Sequence, residues 1–152
     1  MTRTIHILCS FFLALAVAST AIAQPGSLRL PPYKKIVLKN GMTVLLMEQR
    51  EVPLVSFSAR MKAGSTSDPA GKEGVASMTA ALLRKGTAAR SADEFSAQLD
   101  FIGGSFGAGA GQDATVMSAE FMKKDLSKGL ELVADAMLHP SFPADEVKKL
   151  AA

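Results

Sequence analysis

The sequence is short of the side chains that staple a fold or bind a metal. It has one cysteine, Cys9, no tryptophan, one tyrosine and two histidines in 152 residues. A single thiol closes no disulfide within the chain, so packing has to supply the stability. Cys9 also lies in a leader-like segment ahead of most of its apolar run, which argues against a lipid-modified cysteine at a cleavage site. Charge of one sign is lacking too. Of 17 basic residues against 14 acidic, one is Arg3 of that leader, and the remaining balance is too even to imply nucleic acid or a charged membrane surface as a partner. Beyond the leader no segment is apolar enough to span a bilayer.

What is present begins with that leader. Arg3, the apolar run from Ile7 to Val17 and Ala21-Ile22-Ala23 ahead of Gln24 read as a secretory signal peptide, residues 1–23, cut after Ala23. An exported product, periplasmic or extracellular, is expected. Residues 24–32, with Pro25, Pro31 and Pro32, read as a linker. Residues 33–152 are long enough for one domain with a real core and too short for two.

Along that domain, YKKIVLK and MTVLLME flank Asn40-Gly41, a pair that tolerates positive φ and so signals a hairpin. VSFSARMK alternates, with Val55, Phe57, Ala59 and Met61 on one face and Ser56, Ser58, Arg60 and Lys62 on the other, the pattern of a half-buried strand. GSTSDPAGKEG is a loop. It is not a phosphate loop, because six residues separate Gly64 from Gly71 where four are required, and Glu73 follows Lys72 where Ser or Thr belongs.

A helix follows over GVASMTAALLRKGT. At 100 degrees per residue, Val75, Met78, Thr79, Leu82 and Leu83 form its expected core stripe, with Ser77, Ala80, Ala81 and Arg84 opposite. A second helix is expected from about Ala92 to Ile102, its start marked by the capping-box spacing of Ser91 and Glu94 and its end by Gly103-Gly104. GSFGAGAGQD and TVMSAEFM read as paired strands. The glycine run follows a helix and precedes a strand, the reverse of a dinucleotide fingerprint. A third helix from Asp125 to Leu138 carries Leu126, Leu130, Val133 and Met137 at helical spacing and stops at Pro140. FPADEVKKL begins a fourth, and so short an amphipathic helix has little to bury, so the domain is expected to continue past Ala152. The order of elements predicts an α+β fold, an antiparallel sheet with helices packed on one face.

GMTVLLME, VSFSARMKAGS, DPAGKEGVA, LLRKGT, SADEFSAQLDFIGG and LSKGLELVADAMLHPSFP, in this order and spacing, resemble the amino-terminal domain of the insulinase/pitrilysin zinc peptidases, which include mitochondrial processing peptidase. The resemblance covers about residues 33 to 150. It implies an inverted zinc motif, H-x-x-E-H, in which two histidines hold the metal and the glutamate is general base to the bound water. At those positions this chain carries Ser77, Ala80 and Ala81. A serine hydroxyl is a poor zinc ligand at neutral pH, and alanine offers neither lone pair nor proton acceptor. His139, the one histidine outside the leader, reads as a capping or surface residue beside Pro140.

No zinc and no other cofactor is therefore expected, although the family is one of zinc enzymes. The implied function is that of a pseudo-peptidase, since some members of the family work as pairs in which one subunit lacks zinc and contributes substrate contacts and half of a chamber. The expected partners are a zinc-bearing peptidase subunit of the same family and a peptide substrate. The resemblance also implies an edge strand after the second helix that takes substrate as an added β-strand, and in this chain Gly107 and Ala108 occupy that place. A stand-alone binder of extended peptides and a fragment of a longer peptidase-family protein are the alternatives. A serine hydrolase built on Ser77 or Ser105 lacks a nucleophile-elbow pattern and a histidine partner. A stripe of small residues is also what close packing against a neighbour produces, and the two readings are compatible.

Overall fold

A computed structural model of the chain describes residues 30–151. The expected signal peptide, residues 1–23, and most of the linker lie outside the described residues. The chain divides into two units, one ending at Glu48 and one starting at Gln49.

In the first unit β1 (Tyr33–Val37) and β2 (Thr43–Met47) form an antiparallel hairpin in which Ile36 faces Val44. The turn differs from the expected one in that only Gly41 takes positive φ, at 83°. The Gly41 amide donates to the Leu38 carbonyl at 2.9 Å, and the Asn40 side chain accepts the Met42 amide at 3.1 Å. Asn40 thus closes the turn with its side chain and leaves the left-handed position to glycine alone.

The second unit holds β3 (Leu54–Met61), α1 (Val75–Leu82), α2 (Ala92–Phe101), β4 (Ser105–Ala110), β5 (Thr115–Met122), α3 (Leu126–Leu138) and α4 (Ala144–Ala151). Its three strands form an antiparallel sheet in the order β3-β5-β4, with β5 in the middle. The α+β architecture expected from the sequence is therefore present. Alternation gives the sheet two unlike faces. Phe106, Met117, Ala119 and Phe121 are buried on one, with Val55, Phe57, Ala59 and Ala108 half-buried beside them. The other carries Ser56, Ser58, Arg60, Ser105, Ser118 and Glu120, all exposed.

The helices cover the apolar face. Leu83, Phe95, Leu99, Ile102, Leu132, Val133 and Ala136 complete one core cluster with it, and Phe95 meets Phe106 edge-on at 5.6 Å between ring centroids. α2 starts as expected, with Ser91 accepting the Glu94 amide while Glu94 accepts the Ser91 amide. Those hydrogen bonds, from the Ser91 backbone first and then its hydroxyl, hold the Glu94 carboxyl below the usual carboxylate range.

α3 corrects the expected stripe. Leu126 and Leu130 are 38% and 42% exposed, and the inward side is Gly129, Leu132, Val133 and Ala136. The reason lies at Gly129, where an added Cβ would come within 2.5 Å of the buried Phe121 ring. The helix is turned to seat that ring against bare backbone, which swings Leu126 and Leu130 outward.

Candidate functional site: the α1 face and the β4 edge

α1 begins without a side-chain cap of its own. Gly74 adopts φ 97°, and the capping comes from the loop before it, where Asp68 accepts the Gly74 amide at 2.7 Å and the Ala76 amide at 2.8 Å. A carboxylate there satisfies orphan amides and meets the positive end of the helix dipole. Asp68→Ala is expected to cost about 1 kcal/mol of stability, measured by urea unfolding. No loss would mean that water replaces the carboxylate at no cost.

The same loop is stitched to the turn after β4. Ser65 and Thr66 amides donate to the Gly111 and Gln112 carbonyls at 2.9 and 3.0 Å, and the Thr66 hydroxyl donates to the Gln112 carbonyl at 2.9 Å. The start of α1 is thereby held near the end of β4. Leu83 at the other end of the helix belongs to the same core cluster as Phe106, and β4 is the helix's chief packing partner.

The expected core stripe of α1 is displaced. Val75 is 44% exposed and Thr79 is exposed, whereas Ala80, Leu82 and Leu83 are buried. Ala80, placed on the outer side by apolar periodicity, is the most buried of them at 2%. A methyl side chain there allows the helix to settle against its neighbours, and a larger apolar stripe would hold it further off. Ser77 is exposed and Ala81 half-buried. The small residues at 77, 80 and 81 therefore do not form one exposed patch.

These three side chains, which the resemblance assigns to the zinc motif, do not fit a zinc ion, since one hydroxyl and two methyl groups provide no ligand set. Among the described residues there is no group of three or more His, Cys, Asp or Glu side chains that could hold a metal ion. His139 sits where the sequence places it, as the residue after α3, exposed, its amide donating to the Asp135 carbonyl at 2.9 Å.

β4 is an outer strand of the three-stranded sheet, paired through one edge to β5. Gly107 and Ala108 lie in its middle, facing Ser118 and Met117 of β5, and both are half-buried. A Cβ built at Gly107 or Gly109 would meet nothing within 4 Å. The strand thus offers backbone amides and carbonyls with little side-chain cover, the geometry for strand addition.

Sequence reasoning missed a cluster behind α1. Asp135, 9% exposed, accepts the Thr87 hydroxyl at 2.6 Å and an Arg90 guanidinium hydrogen bond. Arg90 also reaches Glu131 and donates through Nε to Gln98 at 2.9 Å. Burial pushes the Asp135 carboxyl up, but hydrogen bonds from Thr87 and Arg90 and the charges of Arg90 and His139 outweigh it, and the group lies below the usual aspartate range. The cluster fastens the segment after α1 to α3, and pairs 45 residues apart leave no periodic signal that could have found it.

The second unit is thus an α+β domain, an antiparallel sheet with helices on one face and an open outer strand beside a helix. The sequence profile of the insulinase family (peptidase family M16) matches residues 43–152. The chain belongs to this family of zinc metallopeptidases. It is similar to an uncharacterized zinc protease of Rickettsia bellii, 32% identical over 112 residues that make up 74% of this chain and 27% of that protein. Among solved structures, it is similar to a peptidase M16 inactive domain from Pseudomonas fluorescens, with TM-score 0.74 and 29% identity over 78% of this chain and 29% of the other. It is also similar to a protease from Helicobacter pylori, with TM-score 0.69 and 28% identity over 80% and 30%. The chain thus spans little more than a quarter of the length of these relatives. Among the described residues no helix is long and apolar enough to cross a membrane.

Proposed function

We propose that the chain is a non-catalytic amino-terminal domain of the insulinase type, exported to the periplasm or beyond, that binds extended peptide and completes the chamber of a zinc-bearing relative. The observation that carries this reading is the composition of α1, where Ser77, Ala80 and Ala81 hold the positions matched to H-x-x-E-H while the outer strand beside the helix is kept. A vacated zinc motif is the reason to assign it no hydrolysis of its own. The likeness to a protein described as an inactive domain of the same family supports this. Residues 1–23 act as the export signal, 24–32 as a linker and 33–152 as the peptidase-like domain. Peptide adds to the free edge of β4 at Gly107 and Ala108, with the exposed Ser77 side of α1 nearby.

The test is metal content and peptidase activity of the chain, alone and mixed with a zinc-bearing relative from the same source. No bound zinc, silence alone and a severalfold rise in the relative's activity on mixing are expected. Stoichiometric zinc together with cleavage by the chain alone would overturn the assignment of Ser77, Ala80 and Ala81. Peptide binding with no effect on any zinc-bearing relative would instead favour a stand-alone peptide binder.

A further inference from the structure

The open face of the β3-β5-β4 sheet carries a feature that neither the zinc motif nor the strand edge uses. Ser56, Glu120 and Ser105 lie side by side across the three strands, and Ser58, Ser118 and Gly107 form the next row. Between these rows is an open depression of about 350 Å³ lined by Glu120 and the serines at 56, 58, 105 and 118, with Phe57 and Ala119 between them. Its single charge is the Glu120 carboxylate, which accepts the Ser56 hydroxyl at 2.9 Å through Oε2. An acceptor-only carboxylate ringed by hydroxyls is a site for a cationic donor.

Resting on the reading of β4 as the strand that receives peptide, we propose that this depression is a side-chain subsite for a lysine or arginine of the bound peptide, with Glu120 setting the preference. A peptide strand added to β4 stands two strand spacings from β5, about 10 Å. Alternate side chains of the peptide point to the open face. A residue beside Ser105 or Gly107 has only a hydroxymethyl group or a hydrogen between itself and the depression. A long basic side chain can lay its stem across that low ground and bring its charge to the Glu120 carboxylate. A short side chain does not reach the carboxylate, and an apolar one forms no charge-assisted hydrogen bond with it.

The face also has a polarity. Arg60 lies four residues along β3 from Ser56, on the same side and about 13 Å away. A cation is therefore favoured at the Glu120 end and disfavoured at the Arg60 end, which fixes where along the peptide the basic residue must fall.

The test uses the full chain and pairs of fluorescein-labelled, alanine- and threonine-rich extended peptides, each pair differing only by Lys or Gln at one position moved stepwise along the peptide. Binding is read by anisotropy, and perturbation of the Gly107 and Gly109 amides by NMR reports strand addition independently. Lys is expected to be favoured about fivefold at an open-face position, the upper range of an exposed ion pair. Glu120→Gln should bring the ratio near unity, and Glu120→Lys should turn the preference toward the Gln peptide. Equal binding of Lys and Gln peptides, with the β4 amides perturbed, overturns the subsite and leaves strand addition standing. A Lys preference that survives Glu120→Gln also overturns it. If no peptide binds and the Gly107 and Gly109 amides do not move, strand addition fails and the subsite falls with it.

Discussion

Gly64→Ala is expected to lower the stability of the second unit by about 3 kcal/mol or more, a cost in the range of severe overpacking. The backbone at Gly64, φ −133° and ψ −165°, is open to any residue, so the penalty has nothing to do with conformational freedom. It is steric. A Cβ at this position would lie 2.3 Å from the Gln112 carbonyl oxygen and 2.4 Å from that of Gly111. Neither atom can rotate aside, because both carbonyls accept the Ser65 and Thr66 amides that tie the loop to the turn after β4. The variant must therefore break those hydrogen bonds or shift the turn, and either change loosens the start of α1 from the end of β4. Gly109→Ala is the matched control, since a Cβ there meets nothing within 4 Å, and it should change stability by no more than about 0.5 kcal/mol. The measurement is urea unfolding of the chain and both variants. A Gly64→Ala midpoint indistinguishable from that of Gly109→Ala would show that the loop does not approach the turn this closely in solution.

How much of this was legible beforehand depends on whether the signal is local. The alternation of β3, the capping box of Ser91 and Glu94 and the Asn40-Gly41 turn all act within a few residues, and each stands where the sequence places it. The rotations of α1 and α3 were not legible. Periodicity weights large apolar side chains, so Leu126 and Leu130 outvoted Gly129, and Val75 outvoted Ala80. In the fold the reverse holds, because a helix packs closest where its side chains are smallest, and the sites of closest approach at Ala80 and Gly129 are set by neighbours distant in sequence. The same limit hid Asp68, whose cap reaches Ala76 from eight residues upstream, where capping patterns look three residues away. For the candidate site, the identities of Ser77, Ala80 and Ala81 could be read directly. Their division into an exposed, a buried and a half-buried residue required the packing of α1 on β4. The Glu120 depression needed the register of three strands, which no single stretch of sequence contains.

Arg90→Ala is the second large loss expected, about 3 kcal/mol, because it leaves the buried Asp135 carboxylate with Thr87 as its one remaining side-chain donor among the described residues. Asp135→Asn should cost less, since it removes the charge that needs a partner and leaves Arg90 its contacts with Glu131 and Gln98. The order of the two variants matters as much as their size. If the pair served only to fill space, the truncation of the longer side chain and the isosteric change would differ by packing alone, and the double variant would equal their sum. A coupled pair predicts a double variant little worse than Arg90→Ala alone. The pH dependence separates the cases further. The Asp135 carboxyl is held below its ordinary range in the folded chain, so the unfolded chain binds the proton first as the solution is acidified. Its contribution is complete above the ordinary aspartate pKa of about 3.9 and fades as pH falls from there through the lower folded value. Stability against urea should therefore decline more steeply below about pH 4 in the parent chain than in Asp135→Asn. Parallel acid limbs in the two proteins would mean that Arg90 and Thr87 hold the carboxyl no more tightly than water does, and that the segment following α1 is fixed by its backbone bonds to His139 and Ser141 instead.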